Sequence, residues 1–190
     1  QNKTLDQKLK NKQLKSLGFK SIGKNVKISD KASIYNCDQI EIDDYSRIDD
    51  FCVISGNLKI GQNVHITPLC IVAGGFPGIV IESFSTLAYN CKIFSQSDDY
   101  SGETMTNSTI PKKYKKETLN KVIIKKHSII GTGSIVMPGV TIAVGTAIGA
   151  NSLVLRSTSP WEICAGSPAK KIKNRKKNLL SLEKQFTSNN

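Results

Sequence analysis

Aliphatic side chains recur every six positions along most of this chain. Neither the 3.6-residue period of a helix nor the two-residue alternation of an ordinary strand produces this spacing. A period of six is typical of a solenoid of short strands, in which each strand turns one aliphatic residue inward. Four runs keep the spacing: Ile22 to Ile40, Ile42 to Val72, Ile81 to Ile93, and Ile124 to Val154.

The repeat predicts an all-β solenoid. Three six-residue units make one triangular coil of about eighteen residues, and the runs amount to about seven coils. Small and polar residues between the aliphatic positions suit tight corners. Backbone hydrogen bonds are then expected to run from coil to coil, which satisfies the amides.

The repeat also divides the chain. Residues 1–20 are predicted as a lead-in with a short helix, residues 21–163 as the solenoid, and residues 164–190 as a basic tail with a helix near 178–186. The spacing slips between Ile40 and Ile42, and a Gly-rich turn at 73–78 lengthens one corner. A longer break, 94–121, predicts one long inserted loop, and a loop of that length in a compact domain is usually functional or disordered.

Composition restricts the function further. A length of 190 residues suits one domain, and the net charge of +12 comes mainly from basic segments at 3–31, 112–126 and 170–184. The solenoid between 32 and 111 is acidic, which argues against a nucleic-acid-binding surface. No apolar stretch reaches the length of a membrane span, the first twenty residues lack the apolar core of a signal peptide, and the five cysteines lack metal-ligand spacing. We therefore expect a cytoplasmic protein with reduced, buried thiols.

The repeats Ile130-Gly-Thr-Gly-Ser-Ile135 and Ile148-Gly-Ala-Asn-Ser-Leu153, with the ending Ala165-Gly-Ser-Pro-Ala-Lys-Lys-Ile172, resemble the hexapeptide-repeat acyltransferases. The resemblance covers about 21–173 and is nearest to the galactoside and maltose O-acetyltransferases and their relatives in surface-polysaccharide synthesis. It implies a left-handed parallel β-helix, a homotrimer, acetyl-CoA as co-substrate, and a free, nucleotide-linked or glycan-bound sugar as acceptor.

Acyl transfer from a thioester needs a base for the acceptor's proton, donors for the oxyanion, and a site that holds both substrates. The chain has two histidines. His65 precedes the inward Ile66, so its side chain should point outward, where it can face a cleft between protomers. His127, beside Lys125 and Lys126, is the second candidate for the base.

The resemblance places Asp98 where related enzymes carry their catalytic histidine. We therefore predict a divided site, with His65 as general base from one protomer and Asp98 or Asp99 from the next as the group that orients it or holds the sugar. Ser97, Asp99 and Tyr100 are predicted to bind substrate. The alternative is that Asp98 and Asp99 only cap a turn of the insertion.

For the coenzyme, the resemblance points to Gly131, Thr132, Gly149 and Ala150, where small side chains let a pantetheine arm lie against the backbone. Lys170, Lys171 and Lys173 are predicted to meet its phosphates, or else they are solvated surface charge. Trp161 either covers the last coil or stacks on the adenine.

Two other classes remain as alternatives. A γ-class carbonic anhydrase has the same solenoid but needs three histidines on one zinc ion, so no metal is predicted here. A purely structural solenoid would show a regular threonine ladder, which the repeats lack. The acceptor sugar, the choice between oxygen and nitrogen, and the identity of the acyl group stay open at this point.

Overall fold

The structure is a computed structural model that describes residue 9 and residues 11–188. The parts of the predicted lead-in at 1–8 and 10, including Leu5, lie outside the described residues, as do 189 and 190. The described residues form two α-helices, two short 3-10 turns and 22 strands of two to six residues.

The helices are α1 (Asn11–Ser16) and α2 (Leu179–Ser188), and the 3-10 turns are Cys37–Gln39 and Lys112–Tyr114. The strands are β1 (Ser21–Ile22), β2 (Lys27–Ile28), β3 (Ser33–Tyr35), β4 (Ile40–Ile42), β5 (Arg47–Ile48), β6 (Val53–Ser55), β7 (Leu58–Ile60), β8 (His65–Ile66), β9 (Ile71–Ala73), β10 (Ile79–Ile81), β11 (Thr86–Leu87), β12 (Lys92–Phe94), β13 (Gln96–Ser97), β14 (Thr118–Leu119), β15 (Val122–Ile124), β16 (Ile129–Ile130), β17 (Ile135–Val136), β18 (Thr141–Ile142), β19 (Ala147–Ile148), β20 (Leu153–Val154), β21 (Glu162–Gly166) and β22 (Ala169–Asn174).

Three sheets run the length of the molecule and form its three faces; all their strands are parallel except β22, the last strand of the second sheet. The first sheet has the order β1-β4-β7-β10-β15-β18, the second β2-β5-β8-β11-β16-β19-β21-β22, and the third β3-β6-β9-β12-β17-β20. Along the repeat, each strand pairs with its counterpart one coil later, as in Arg47 with His65 and His65 with Thr86. This is the left-handed parallel β-helix of about seven coils that the sequence predicts.

The core is the stack of aliphatic residues that the period of six picks out. Ile28, Ile54, Ile66, Ile93 and Ile130 are fully buried. The slip between Ile40 and Ile42 has a simple cause: both residues belong to β4, and residues two apart in a strand face the same side. The extra length is taken up by the 3-10 turn Cys37–Gln39.

The corner between the first and second sheets is a column of residues with left-handed backbone. Its members are Asn25, Tyr45, Asn63, Phe84, His127, Gly145 and Trp161. Because adjacent coils stack in register, their side chains also stack along the outside of the helix. Gly145 is required at its place, since a Cβ there would lie 2.5 Å from the Trp161 ring.

The insertion spans 95–121 and folds back on itself. Strands β13 and β14 pair antiparallel, Gln96 with Leu119 and Ser97 with Thr118. This hairpin leaves the solenoid at the corner between the third and first sheets, after β12 and before β15.

The tail is more ordered than its basic composition suggests. Strand β21 continues the second sheet by pairing with β19, and β22 then returns antiparallel along β21. Helix α2 follows and lies against the corner column, close to the helix predicted at 178–186. Within the described residues, no helix has the length and apolarity needed to cross a membrane.

Candidate active site

His65 lies on the outer side of the second sheet, as its place beside the inward Ile66 predicts. Its side chain is 40% exposed, and its Nε2 lies 2.7 Å from Oδ2 of Asp49. Arg47, the neighbour of His65 in the sheet, places Nε 2.5 Å from the other oxygen of Asp49. The outward-facing His65 is thus hydrogen-bonded to Asp49, and Arg47 binds the same carboxylate.

Asp49 is buried, with 7% of its surface exposed. Burial alone would raise the pKa of this carboxyl, but the hydrogen bonds from His65 and Arg47 outweigh it, and the pKa lies below its usual value. An ionised Asp49 accepts a hydrogen bond from the Nε2–H group of His65. Nδ1 is then the ring nitrogen able to take a proton from a substrate.

His127 has a different environment. It is buried, its ring stacks on Phe84 with centroids 5.5 Å apart, and its Nε2 lies 2.9 Å from Oε2 of Glu183 in α2. The Trp161 ring is tilted against it, with centroids 6.5 Å apart. These contacts make His127 part of the attachment of α2, so we disfavour it as the base.

The same contacts bear on Trp161. Its ring lies over Gly145 in the corner column, and the ammonium of Lys177 lies 5.6 Å from the ring centroid. This arrangement supports the reading in which Trp161 covers the last coils. Between the column and α2 lies a groove of about 450 Å³, lined mainly by Phe84, Ile129, Leu182 and Phe186.

The insertion brings Ser97 and Asp98 to a second, smaller pocket of about 220 Å³. Lys115 and Glu117 line it as well. Lys115 Nζ lies 3.1 Å from Glu117 Oε1 and 3.9 Å from Asp98 Oδ1. The pocket therefore holds two carboxylates and one ammonium group.

Asp99 is engaged within the loop. Its carboxylate accepts hydrogen bonds from the amides of Ser101 and Thr104 and from the Thr104 hydroxyl, and these lower its pKa to about 2. That is the turn-capping role given above as the alternative. Tyr100, next to it, is 89% exposed. A contact of either residue with substrate stays a prediction.

The residues predicted to hold the coenzyme come together at the corner between the second and third sheets. Gly131 and Gly149 follow β16 and β19, and Thr132 and Ala150 come next in each coil. A Cβ on Gly131 would lie 2.6 Å from the Ala150 amide nitrogen, and one on Gly149 would lie 2.7 Å from Ala165 Cβ. Small residues are needed there for the coils to stack.

The tail lysines lie beside that corner because β22 runs along β21. Lys170 pairs with Ala165 and Lys171 with Cys164 in the hairpin, with Lys173 further along. Lys171 is bound to Glu162, Nζ to Oε1 2.9 Å. Lys170 and Lys173 are exposed, and no acidic partner for them occurs among the described residues.

His65 and Asp98 lie on different sides of one protomer. His65 is on the face of the second sheet, and Asp98 follows the corner between the third and first sheets. The triangular solenoid stands between them. A single protomer does not bring these two predicted residues together.

Comparison with known proteins shows which family the chain belongs to. It is 44% identical over 177 residues to the dTDP-4-amino-4,6-dideoxy-D-glucose acyltransferase of Escherichia coli, a match that covers 92% of each protein. This chain belongs to the hexapeptide-repeat acyltransferases. No model of a protein family matches it.

Solved structures agree with this family assignment. AntD, an N-acyltransferase from Bacillus cereus in complex with dTDP and 3-hydroxybutyryl-CoA, superposes with a TM-score of 0.95 at 43% identity, over 96% of this chain and 97% of that one. A maltose O-acetyltransferase from Clostridium difficile 630 shares the fold, with a TM-score of 0.60 at 22% identity over 87% of this chain and 74% of that one.

Family membership confirms the predicted activity, transfer of an acyl group from a coenzyme A thioester to a sugar. It also excludes the two alternatives given above, a γ-class carbonic anhydrase and a purely structural solenoid. Among the described residues, no group of three or more His, Cys, Asp and Glu side chains is arranged to hold a metal ion.

Three polar residues of these sites were missed by the sequence analysis. Asp49 could have been found, since Arg47 lies one eighteen-residue coil before His65 and Asp49 faces the same side two residues later. Lys115 and Glu117 lie in the insertion, where the six-residue repeat predicts no position for a side chain. They reach the pocket only through the β13–β14 pairing.

Proposed function

We propose that this enzyme transfers an acyl group, acetyl or a larger one, from its coenzyme A thioester to the amino group of a dTDP-linked amino sugar. The observation that carries the proposal is the 44% identity over 92% of both chains to a dTDP-4-amino-4,6-dideoxy-D-glucose acyltransferase. A point variant of AntD solved with dTDP-4-amino-4,6-dideoxyglucose and coenzyme A supports it, since it matches this chain with a TM-score of 0.95 over 96% of its length.

The donor is proposed to lie along the corner of Gly131, Thr132, Gly149 and Ala150. The N–H groups of Gly131 and Gly149 bind the next coil, whereas the N–H groups of Thr132 and Ala150 have no hydrogen-bond partner among the described residues and suit the amides of the pantetheine arm. Lys170 and Lys173 are exposed beside it and suit the phosphates of the nucleotide end. Lys171, held by Glu162, would contribute to the positive field at the same place.

The acceptor is proposed to enter the pocket of Ser97 and Asp98, with Asp99 and Tyr100 at its outer edge. Two carboxylates around one ammonium leave a net negative charge there. Such a pocket favours an amine, which arrives partly as an ammonium ion, over a neutral hydroxyl. This supports nitrogen as the acceptor atom.

His65 is proposed as the general base. The acceptor attacks as the neutral amine, after any ammonium form has lost its extra proton to solvent. The C–N bond to the thioester carbonyl carbon forms as the C–S bond breaks, and the proton released from the nitrogen passes to Nδ1 of His65 and then to the coenzyme A thiolate. Asp49, 2.7 Å from Nε2, fixes the tautomer this step needs and stabilises the imidazolium. Asp98 would orient the amine toward the thioester carbonyl carbon.

A divided site requires a second copy, and we propose a homotrimer. The outer row of the third sheet is Ser33, Val53, Ile71, Lys92, Ile135 and Leu153, with one charge in six positions. The corresponding row of the second sheet begins with Lys27, Arg47 and His65. The third sheet is therefore the face best suited to pack against another protomer.

Mixing variants tests the divided site. His65→Ala and Asp98→Asn are each expected to lower turnover strongly. If one site takes His65 and Asp98 from different protomers, random reassembly of the two variants in equal amounts restores about a quarter of the sites. Recovery of activity on mixing supports the divided site, whereas two inactive variants that stay inactive after confirmed subunit exchange contradict it.

Release of free coenzyme A tests the acceptor. The panel is dTDP-4-amino-4,6-dideoxyglucose, its 4-hydroxy counterpart, the free amino sugar and maltose. We expect release with the first at far higher kcat/KM than with the others. Equal or greater release with maltose would contradict the proposal.

The cytoplasm is proposed as the place of action. All five cysteines are free thiols, as expected in a reducing compartment. A role in surface-polysaccharide synthesis is proposed from the family resemblance, since nucleotide-linked sugars are the donors for such polymers.

A further inference from the structure

The insertion buries a lysine. The side chain of Lys115 is 8% exposed, although the residues on either side of it, Tyr114 and Lys116, are exposed. An ammonium group withdrawn from water must be compensated by charged or polar partners. Here the partners are Glu117, at 3.1 Å, and Asp98, at 3.9 Å.

The hairpin explains why both carboxylates are present. Gln96 pairs with Leu119 and Ser97 with Thr118, so the next positions of the same antiparallel register are Asp98 and Glu117. Two like charges directly opposite each other repel. Lys115, held by its own backbone bridge to Met105, lies between them and offsets one of the two charges.

The remaining neighbours of Asp98 are neutral or face elsewhere. The amide of Asn107 donates to Asp98 Oδ2 at 3.3 Å, and Gln96 and Ser108 line the pocket as uncharged groups. The carboxylate of Asp99 is turned to Ser101 and Thr104. Lys115 and Glu117 are therefore the two charged groups that face Asp98 among the described residues.

We infer that Lys115 and Glu117 are positioning residues, which set the net charge of the pocket and the direction of the Asp98 carboxylate toward the acceptor amine. Lys115 attracts Oδ1 of Asp98, at 3.9 Å, while the Asn107 amide donates to Oδ2 at 3.3 Å, so both carboxylate oxygens are held. Glu117 limits the pull of Lys115 on Oδ1, because it holds the ammonium at the shorter distance of 3.1 Å. The inference rests on the proposed role of Asp98 in binding the amine.

Opposite charge changes at the two positions should have opposite effects on the KM for the amino sugar. Lys115→Met removes the cation and leaves two facing carboxylates, which should lower the KM for an acceptor that arrives partly as an ammonium ion. Glu117→Gln removes one anion, which should raise that KM. Because Asp98 is 39% exposed and water screens the interaction, each change should be about two- to fivefold.

Two readouts on the intact enzyme test this. The first is the KM for dTDP-4-amino-4,6-dideoxyglucose at saturating acetyl-CoA. The second is kcat under the same conditions, which both variants should lower because the Asp98 carboxylate loses its fixed direction. Lys113→Met is the matched control, because Lys113 lies over the Tyr114 ring and has no carboxylate partner in the described part of the chain.

KM changes of opposite sign in the two variants, with a lower kcat in both and neither effect in the control, support the inference. KM changes of the same sign, or none, overturn it, since loss of loop structure alone would affect both variants alike. If KM changes as expected but kcat does not fall, the positioning role is overturned, while the panel of acceptors still tests acyl transfer itself.

Discussion

Asp49 Oδ2 lies 2.7 Å from His65 Nε2, and the two residues come from adjacent coils of the second sheet. A buried carboxylate that also holds Arg47 thus fixes one nitrogen of an outward histidine and leaves the other free. This is the arrangement by which a histidine is oriented as a base.

Asp49→Asn should therefore lower kcat by about tenfold or more, with little change in the KM for acetyl-CoA, because the amide no longer selects the tautomer or stabilises the imidazolium. Steady-state kinetics with both substrates varied measures this. Asp43→Asn, an exposed aspartate on the same coil, is the control. Unchanged turnover in a folded Asp49→Asn enzyme would remove His65 as the base.

Lys170→Gln and Lys173→Gln should together raise the KM for acetyl-CoA several-fold, since two charges near the phosphates are lost. The sharper measurement compares acetyl-CoA with its 3′-dephospho form. Wild type should prefer the phosphorylated form, and the double variant should discriminate much less. Lys176→Gln, exposed in the same tail, is the control. Unaltered discrimination in the double variant would mean that these lysines are solvated surface charge.

The solenoid itself was readable from the chain because each coil repeats one local rule. The inward positions and the insertion follow from the period of six, whereas the corner of Gly131 and Gly149 was predicted from the family resemblance. The contacts that complete the sites do not repeat. His127 meets Glu183 across 56 residues, and Lys115 reaches Asp98 only through a hairpin outside the repeat. Such contacts depend on how the tail and the insertion dock, which no periodic pattern encodes.

Gly145→Ala should destabilise the C-terminal coils. The new methyl group would lie 2.5 Å from the Trp161 ring, and φ at this position is +68°. Gly18→Ala is a matched control, since φ there is +73° and nothing lies within 4 Å of the added carbon. The backbone cost of about 1–2 kcal/mol is shared, so the difference in Tm isolates the clash. We expect Gly145→Ala to melt about 5 °C below Gly18→Ala, since overpacking costs about 1–3 kcal/mol. Equal Tm values would show that Trp161 moves freely off the column.

Attachment of α2 should depend on pH through Glu183. Hydrogen bonding from Lys126, and then from His127, holds the pKa of Glu183 below its usual value despite partial burial. The stabilisation is therefore present above the usual glutamate pKa and is lost as pH falls through the lower value of the folded protein. Wild type should melt above Glu183→Gln at pH 7, and this gap should close in acid below about pH 4.5. Glu103→Gln, an exposed change, should show no such gap. A gap that widens in acid would contradict this sign.

The chemical position of the acyl group in the product tests the central proposal most directly. The enzyme is incubated with ¹³C-labelled acetyl-CoA and dTDP-4-amino-4,6-dideoxyglucose, and the product is examined by NMR and treated with hydroxylamine. We expect one acetyl group, attached as an amide to the C4 nitrogen and resistant to hydroxylamine. An ester on a ring hydroxyl, or no transfer to this nucleotide sugar while maltose is acetylated, would contradict the proposed function.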